Sequence, residues 1–178
     1  MTETAISPSR WPQVPACYGW LSLDRRGQWR LQGEPVNHLG LIAFLNQNYQ
    51  VGKAGERGAC FVQNGPQKVY VELAAAPWIF QRKEKNFIAH TGAPAGKIHA
   101  IFLTAEGSLY LHCALGFGLL DDRDLASFLS ECAPNEETHW LTLMAGEAQI
   151  IRWQGIQITR IEADELAQRF AFNPQPQG

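Results

Sequence analysis

The chain has 178 residues, of which 46% are apolar and 18% charged, and a formal net charge of −2. That length buries a core without a disulfide or a metal, and the composition is that of a globular domain. No basic stripe is present to neutralise phosphates, which excludes a dedicated nucleic-acid binder, and no apolar run approaches the ~20 residues of a membrane-spanning helix.

Residues 1–16 carry Pro8, Pro12 and Pro15 around Trp11, which predicts an extended N-terminal arm rather than a central strand. The polar start also lacks the apolar stretch of a secretory peptide, so a cytoplasmic location is expected. Cys17, Cys60, Cys113 and Cys132 form no CxxC pair and read as buried thiols. Residues 17–23 and 28–32 alternate as strands around Asp24-Arg25-Arg26-Gly27, a hairpin connection. A helix is predicted over 38–49, with Asn37 as its N-cap and Leu41, Ile42, Phe44 and Leu45 as its buried stripe. Residues 59–63 and 68–73 form a second hairpin. Within it Val69, Val71 and Leu73 face one way while Lys68, Tyr70 and Glu72 face the other. Pro77 predicts an edge position for the strand at 78–80. A charged hairpin tip at 81–86 precedes a strand at 87–90, and the loop at 93–96 marks a midpoint.

The second half opens with strands at 98–104 and 108–113. Gly116-Phe117-Gly118 reads as a bend or bulge, and Asp121-Asp122 caps a helix over 123–132 that Pro134 stops. Strands are then expected at 138–144, 148–153 and 156–161, followed by a short helix over 162–170. The tail at 173–178 holds two prolines and is expected to be disordered.

An offset of 84 residues relates Leu41, Phe44 and Leu45 to Leu125, Phe128 and Leu129, giving the same LxxFL helical pattern twice. Strands, helix, strands recur in both halves. The expected architecture is therefore α+β, mainly antiparallel, with two or three helices built from two related half-motifs at 17–92 and 97–172.

From Gly27 to Asn46 the chain reads G-x-W-x-L-x-G-x-P-V-x-H-x-x-L-I-x-x-L-N, followed by Lys68-Val69-Tyr70-Val71-Glu72 and Ala76-Pro77-Trp78. These segments resemble a group of uncharacterised bacterial proteins, a domain-of-unknown-function family. In that group a W-x-x-x-G-x-P-[IV]-x-H-x-x-L element is followed by a K-V-x-[VI]-E strand and an A-P-[FW] corner. The resemblance covers mainly the first half. It implies a small α+β protein with repeated structural motifs and a role in sensing or signalling, with Trp29, Gly33, Pro35, His38, Lys68 and Glu72 as the residues of interest. It implies no reaction and no cofactor.

Among polar residues His38 stands out, because the first turn of a helix favours an anion. It either meets a ligand there or assists the capping turn and packs on Trp29. At 84 residues beyond His38 stands Asp122, which is either an ordinary cap or the acid/base partner of His38 across a shared groove. Lys68, Tyr70 and Glu72 share a strand face that either lines a ligand pocket with Trp29 or is simply solvated. His90, His99, His112 and His139 lack metal-ligand spacing, and no metal is expected. GxSxG, Walker A and GxGxxG signatures are absent, so the expected function is a non-enzymatic small-ligand-binding or regulatory module without a cofactor. A hydrolase using His38 with a carboxylate is one alternative. A protein-interaction adaptor or homo-oligomer built on the 78–80 edge is another.

Overall fold

The structure, a computed structural model, describes residues 11–178. Residues 1–10 of the expected N-terminal arm lie outside the described residues. The chain divides into two compact units, one of residues up to Pro77 together with Ala171–Gly178 and one of Trp78–Phe170.

The first unit contains β1 (Ala16–Leu23), β2 (Trp29–Leu31), β3 (Glu34–Pro35), α1 (Leu39–Asn48), β4 (Tyr49–Gln50), a 3-10 turn at Ala54–Glu56, β5 (Phe61–Asn64) and β6 (Gln67–Leu73). Its sheet runs β3-β2-β1-β6-β5-β4, with β1 and β6 parallel and the other pairs antiparallel. Register places Leu21, Leu23, Trp29, Leu31, Val69, Val71 and Leu73 on one buried face. Helix α1 adds Leu41 and Leu45 to that core. Trp29 meets Tyr49 of the far edge strand edge-on, with ring centroids 5.4 Å apart, and its Nε1–H donates to Asn46 Oδ1 of α1 at 2.7 Å. The sheet thus curls until strands from its two ends meet beneath the helix.

The second unit contains β7 (Trp78–Lys83), β8 (Asn86–Ala89), β9 (Ile98–Leu103), β10 (Leu109–Cys113), β11 (Phe117–Leu120), and a 3-10 turn at Asp122–Asp124 that runs into α2 (Leu125–Leu129). There follow α3 (Glu137–Met144), β12 (Arg152–Trp153), β13 (Ile156–Arg160) and a 3-10 turn at Ala163–Glu165 leading to α4 (Leu166–Arg169). The sheet order is β12-β13-β9-β10-β11-β7-β8, with β13·β9 and β11·β7 parallel. Its terminal strands also meet: Phe87 of β8 and Trp153 of β12 lie 5.7 Å apart. Phe128 of α2 completes the cluster, 6.1 Å from Phe87 and stacked on Trp153 at 5.4 Å.

The architecture is α+β with mostly antiparallel strands. In each unit a three-stranded meander (β1-β2-β3, β9-β10-β11) leads through a helical segment to a hairpin whose last strand returns parallel to the first. The offset of 84 does not extend to burial, since Leu41 and Leu45 are buried in α1 but Phe128 is the buried member of α2.

Several expectations are corrected. His38, not Asn37, caps α1. Residues 137–144 form helix α3 instead of a strand, because Trp140 and Leu143, three apart, are the buried pair while Leu141 points outward; the β-prone side chains there yield to tertiary burial. The strand expected at 148–153 shrinks to Arg152–Trp153. The helix expected at 123–132 is the 3-10 turn followed by five residues of α2. Strand β7 is internal, paired with β11 and β8. Pro77 precedes it and removes no ladder donor; its carbonyl accepts from the Tyr49 hydroxyl at 2.6 Å. The Gly116–Gly118 bend includes the start of β11. Gly118 sits beside Trp78, where a Cβ would come within 2.5 Å of the Phe80 ring and the Trp78 carbonyl oxygen. The C-terminal segment is held in place by Asn173 N–H to Gly58 O at 3.0 Å and Leu73 N–H to Pro174 O at 2.8 Å, with Phe172 and Pro176 buried.

Among the described residues no helix is long and apolar enough to cross a membrane. Phe128 is fully buried between two rings at the seam, so Phe128→Ala is expected to cost about 3–5 kcal/mol, read as a lower urea midpoint. Leu129→Ala, half-buried one residue on, is expected to cost markedly less in the same experiment.

Candidate functional site

The outer face of the first sheet gathers the unit's polar chemistry. Strand β1 is irregular between Cys17 and Leu21, with Gly19 at φ 74°, and such a bulge re-aims neighbouring side chains. Here it lays the Tyr18 ring flat on Tyr70 of the parallel strand β6, with centroids 4.5 Å apart and planes 3° apart. Beyond β4 the chain makes the 3-10 turn that delivers Glu56. One carboxylate oxygen of Glu56 pairs with the Lys68 ammonium, and the other accepts from the Tyr70 hydroxyl at 3.2 Å. The same ammonium lies 4.7 Å from the Phe61 ring centroid. Arg57 follows at φ 52° with its side chain exposed.

Tyr18, Glu56, Arg57 and Tyr70 line an open cleft of about 260 Å³, with Asn173, Pro176 and Gln177 of the C-terminal segment on its other side. The Lys68 hydrogen bond holds the Glu56 carboxyl below its ordinary range. Burial, reinforced by the Glu56 charge, pushes the Tyr70 phenol up to about 12. At neutral pH the cleft therefore presents an uncharged phenol locked as a donor to Glu56, a carboxylate already neutralised by Lys68, and the exposed Arg57 guanidinium. Such an arrangement suits a small ligand with one anionic group and a planar part, since guanidinium pairs with carboxylate or phosphate.

The residues singled out from sequence are divided by this geometry. Lys68 and Tyr70 meet at Glu56. Glu72 is on the same strand face, exposed, in register with Ser22. Trp29 is 2% exposed on the opposite, inner face, where its ring is a core element. His38 is engaged in the capping turn, its Nδ1 accepting from Leu41 N–H at 3.1 Å. Gly40 gives the imidazole room, because a Cβ there would lie 3.0 Å from His38 Cε1. Asp122 belongs to the second unit, exposed in a 3-10 turn whose cap is the buried Asp121, accepting from Arg123 N–H at 3.0 Å. Sequence reasoning missed Tyr18, Glu56, Arg57 and the C-terminal residues. The available signal was the pair Glu56-Arg57 flanked by Gly55 and Gly58, a charged connection in an otherwise apolar stretch. Among the described residues no group of three or more His, Cys, Asp or Glu is placed to hold a metal ion.

Two outcomes are expected. In Glu56→Gln the Tyr70 phenol loses the neighbouring negative charge and titrates at lower pH, observable by NMR-resolved titration of the ring. Glu56 has a depressed folded-state value, so it stabilises above the ordinary carboxylate range and that contribution fades as acid protonates it. Tyr70 has a raised value, so its contribution is complete below pH ~10 and fades towards 12; Glu56→Gln removes the acid-side loss and narrows the alkaline one. Separately, His38→Ala is expected to cost about 1 kcal/mol of unfolding free energy, and His38→Asn to restore most of it, because asparagine also caps.

Among curated proteins nothing matches the chain significantly. Two solved structures are similar. A DUF1285 family protein from Silicibacter pomeroyi DSS-3, solved at 2.50 Å, is 16% identical with a TM-score of 0.52 over 93% of this chain and 93% of that one. A DUF1285 family protein from Shewanella baltica OS155, solved at 1.40 Å, is 17% identical with a TM-score of 0.48 over 63% of this chain and 91% of that one. The Silicibacter structure shares the fold. The DUF2944 family model, described as "Protein of unknown function (DUF2946)", matches residues 3–177, and the chain belongs to that family.

Proposed function

We propose that the protein is a non-enzymatic small-ligand-binding module with a regulatory role, and that its ligand is a small carboxylate or phosphate ester with a planar part. The observation that carries this reading is the convergence on one cleft of the stacked Tyr18–Tyr70 pair, Glu56 as held by Lys68 behind it, and the exposed Arg57. Arg57 would meet the anionic group and the Tyr18 ring edge would border the planar part. The C-terminal segment supplies Pro176 and Gln177 to the rim, so ligand occupancy would bear on how that segment is held, which is a route to signalling. A cytoplasmic location is supported by four free buried cysteines, the thiol state a reducing compartment maintains.

The hydrolase alternative loses support from the capping role of His38, whose Nδ1 is engaged by the Leu41 N–H. The adaptor alternative through residues 78–80 loses support because β7 is paired on both sides.

The test is a thermal-shift screen of small carboxylates, phosphate esters and aromatic acids. A ligand at 100 times its dissociation constant adds about 2.7 kcal/mol, or roughly 5–10 °C for a chain this long. The expected result is such a shift in the wild type that is lost in Arg57→Ala and reduced in Tyr18→Ala but kept in His38→Ala. A panel without any shift, or a shift that survives both cleft substitutions, would overturn the reading.

A further inference from the structure

The second unit has its own cleft, of about 480 Å³, at the seam where its terminal strands meet. Its floor is apolar. Phe87 and Trp153 are each 5% exposed and Ile98 9%, and Ile156 stands beside them. The floor is preformed, because the Phe87–Phe128–Trp153 cluster fixes both rings and Trp153 Nε1–H donates to Glu131 at 3.0 Å. The walls come from two turns. One is the β7–β8 hairpin end with Lys85 and Asn86; the other is the β12–β13 turn at Gln154-Gly155, whose positive φ angles of 46° and 84° are those of a tight two-residue hairpin turn. Pro94 and Gly96 close one side, and Lys97 stands next to them.

Charge on the rim is of one sign. Lys85 and Lys97 are both exposed, and among the described residues neither ammonium takes part in an ion pair. Glu131, on which the Lys85 charge acts at longer range, already pairs with Arg82 and accepts from Trp153. The amides of Asn86 and Gln154 add neutral donors and acceptors. An apolar floor of this volume with a few convergent polar groups is the ordinary make-up of a small-molecule site.

We propose that this seam cleft is a second binding site, for an amphipathic anion whose head group is met by Lys85 and Lys97 and whose apolar body lies over Phe87, Trp153, Ile98 and Ile156. The head is a carboxylate or a phosphate monoester, since two ammonium groups recognise charge rather than a planar fork. The inference is independent of the cleft on the first unit and uses none of its residues.

The experiment is isothermal titration calorimetry of the full chain with octanoate, octyl phosphate and, as the uncharged control, octanol. The expected result is saturable binding of at least one anion at a single site, with octanol much weaker and affinity falling as salt is raised. Binding by octanoate alone or by octyl phosphate alone supports the site and names its head group. In Lys85→Ala/Lys97→Ala, whose altered side chains are solvent-exposed, affinity is expected to fall at least about fivefold. The proposal is overturned by no saturable heat with either anion, by octanol binding as tightly as the anions, or by full affinity in the double-lysine variant.

Discussion

A curled sheet must join its two ends or expose apolar edges to water, and everything else in each unit depends on how that join is made. In the first unit it is the Trp29–Tyr49 edge contact under α1, with the indole N–H satisfied by Asn46. In the second it is the Phe87–Phe128–Trp153 cluster, with the helix supplying the middle ring. Both solutions place large aromatic rings where a helix crosses the seam. Rings serve there because each buries a large area and fixes geometry through edge and stacking contacts. The polar atoms of these aromatics are paired, so the joins carry no desolvation penalty from an orphaned indole.

Where the join sits decides where sites can form. A seam packed flush by its aromatic cluster leaves a shallow trough above it, bordered by hairpin turns rather than by regular strand. Turns carry the polar groups at that seam, the Lys85 ammonium at one hairpin and the neutral Gln154 amide at the next, so the second unit's seam acquires a polar rim over an apolar floor. In the first unit the chemistry instead lies on the outer sheet face, because the β1 irregularity lifts Tyr18 onto Tyr70 and the turn after β4 swings Glu56 across to Lys68.

Much of this was legible in the sequence. Alternation in 68–73 assigned Lys68, Tyr70 and Glu72 to one face and the valines to the other, because a strand's period of two is local and needs no tertiary partner. The hairpins around Gly27 and Gly65 were legible for the same reason. Helix α3 was not, since Thr, Trp and Leu in alternation mimic a strand until Trp140 and Leu143 find a common core. Trp29 read as a pocket residue for a related reason: its position on β2 fixes the face, but which face is inner depends on α1 docking across Tyr49. The meeting of Lys68 with Glu56 was invisible because the partner arrives on an irregular turn twelve residues earlier in sequence, where no periodicity marks it.

Each unit contains a meander, a helical segment and a last strand parallel to the meander's first, but the outer faces of the two sheets differ, and that difference bears on the proposed ligand site. In the second unit the outer face carries Phe102, Tyr110 and Phe117. The chain covers it with its own helix α4, Phe170 stacking on Phe117 at 3.7 Å and Arg169 lying 5.0 Å from the Phe102 ring. An aromatic face so covered is a core surface. In the first unit the matching face carries Tyr18, Lys68 and Tyr70. It receives the turn that carries Glu56 and the extended tail, whose Pro176 and Gln177 border the cleft without closing it. A face built of hydroxyls and paired charges tolerates water, so it needs no helix for stability. Its half-buried Tyr18 and Tyr70 rings are held in position by stacking on each other and by the Glu56 hydrogen bond. That combination of fixed geometry and retained solvent access is what a binding surface requires, and it is the physical ground on which the proposed ligand site rests.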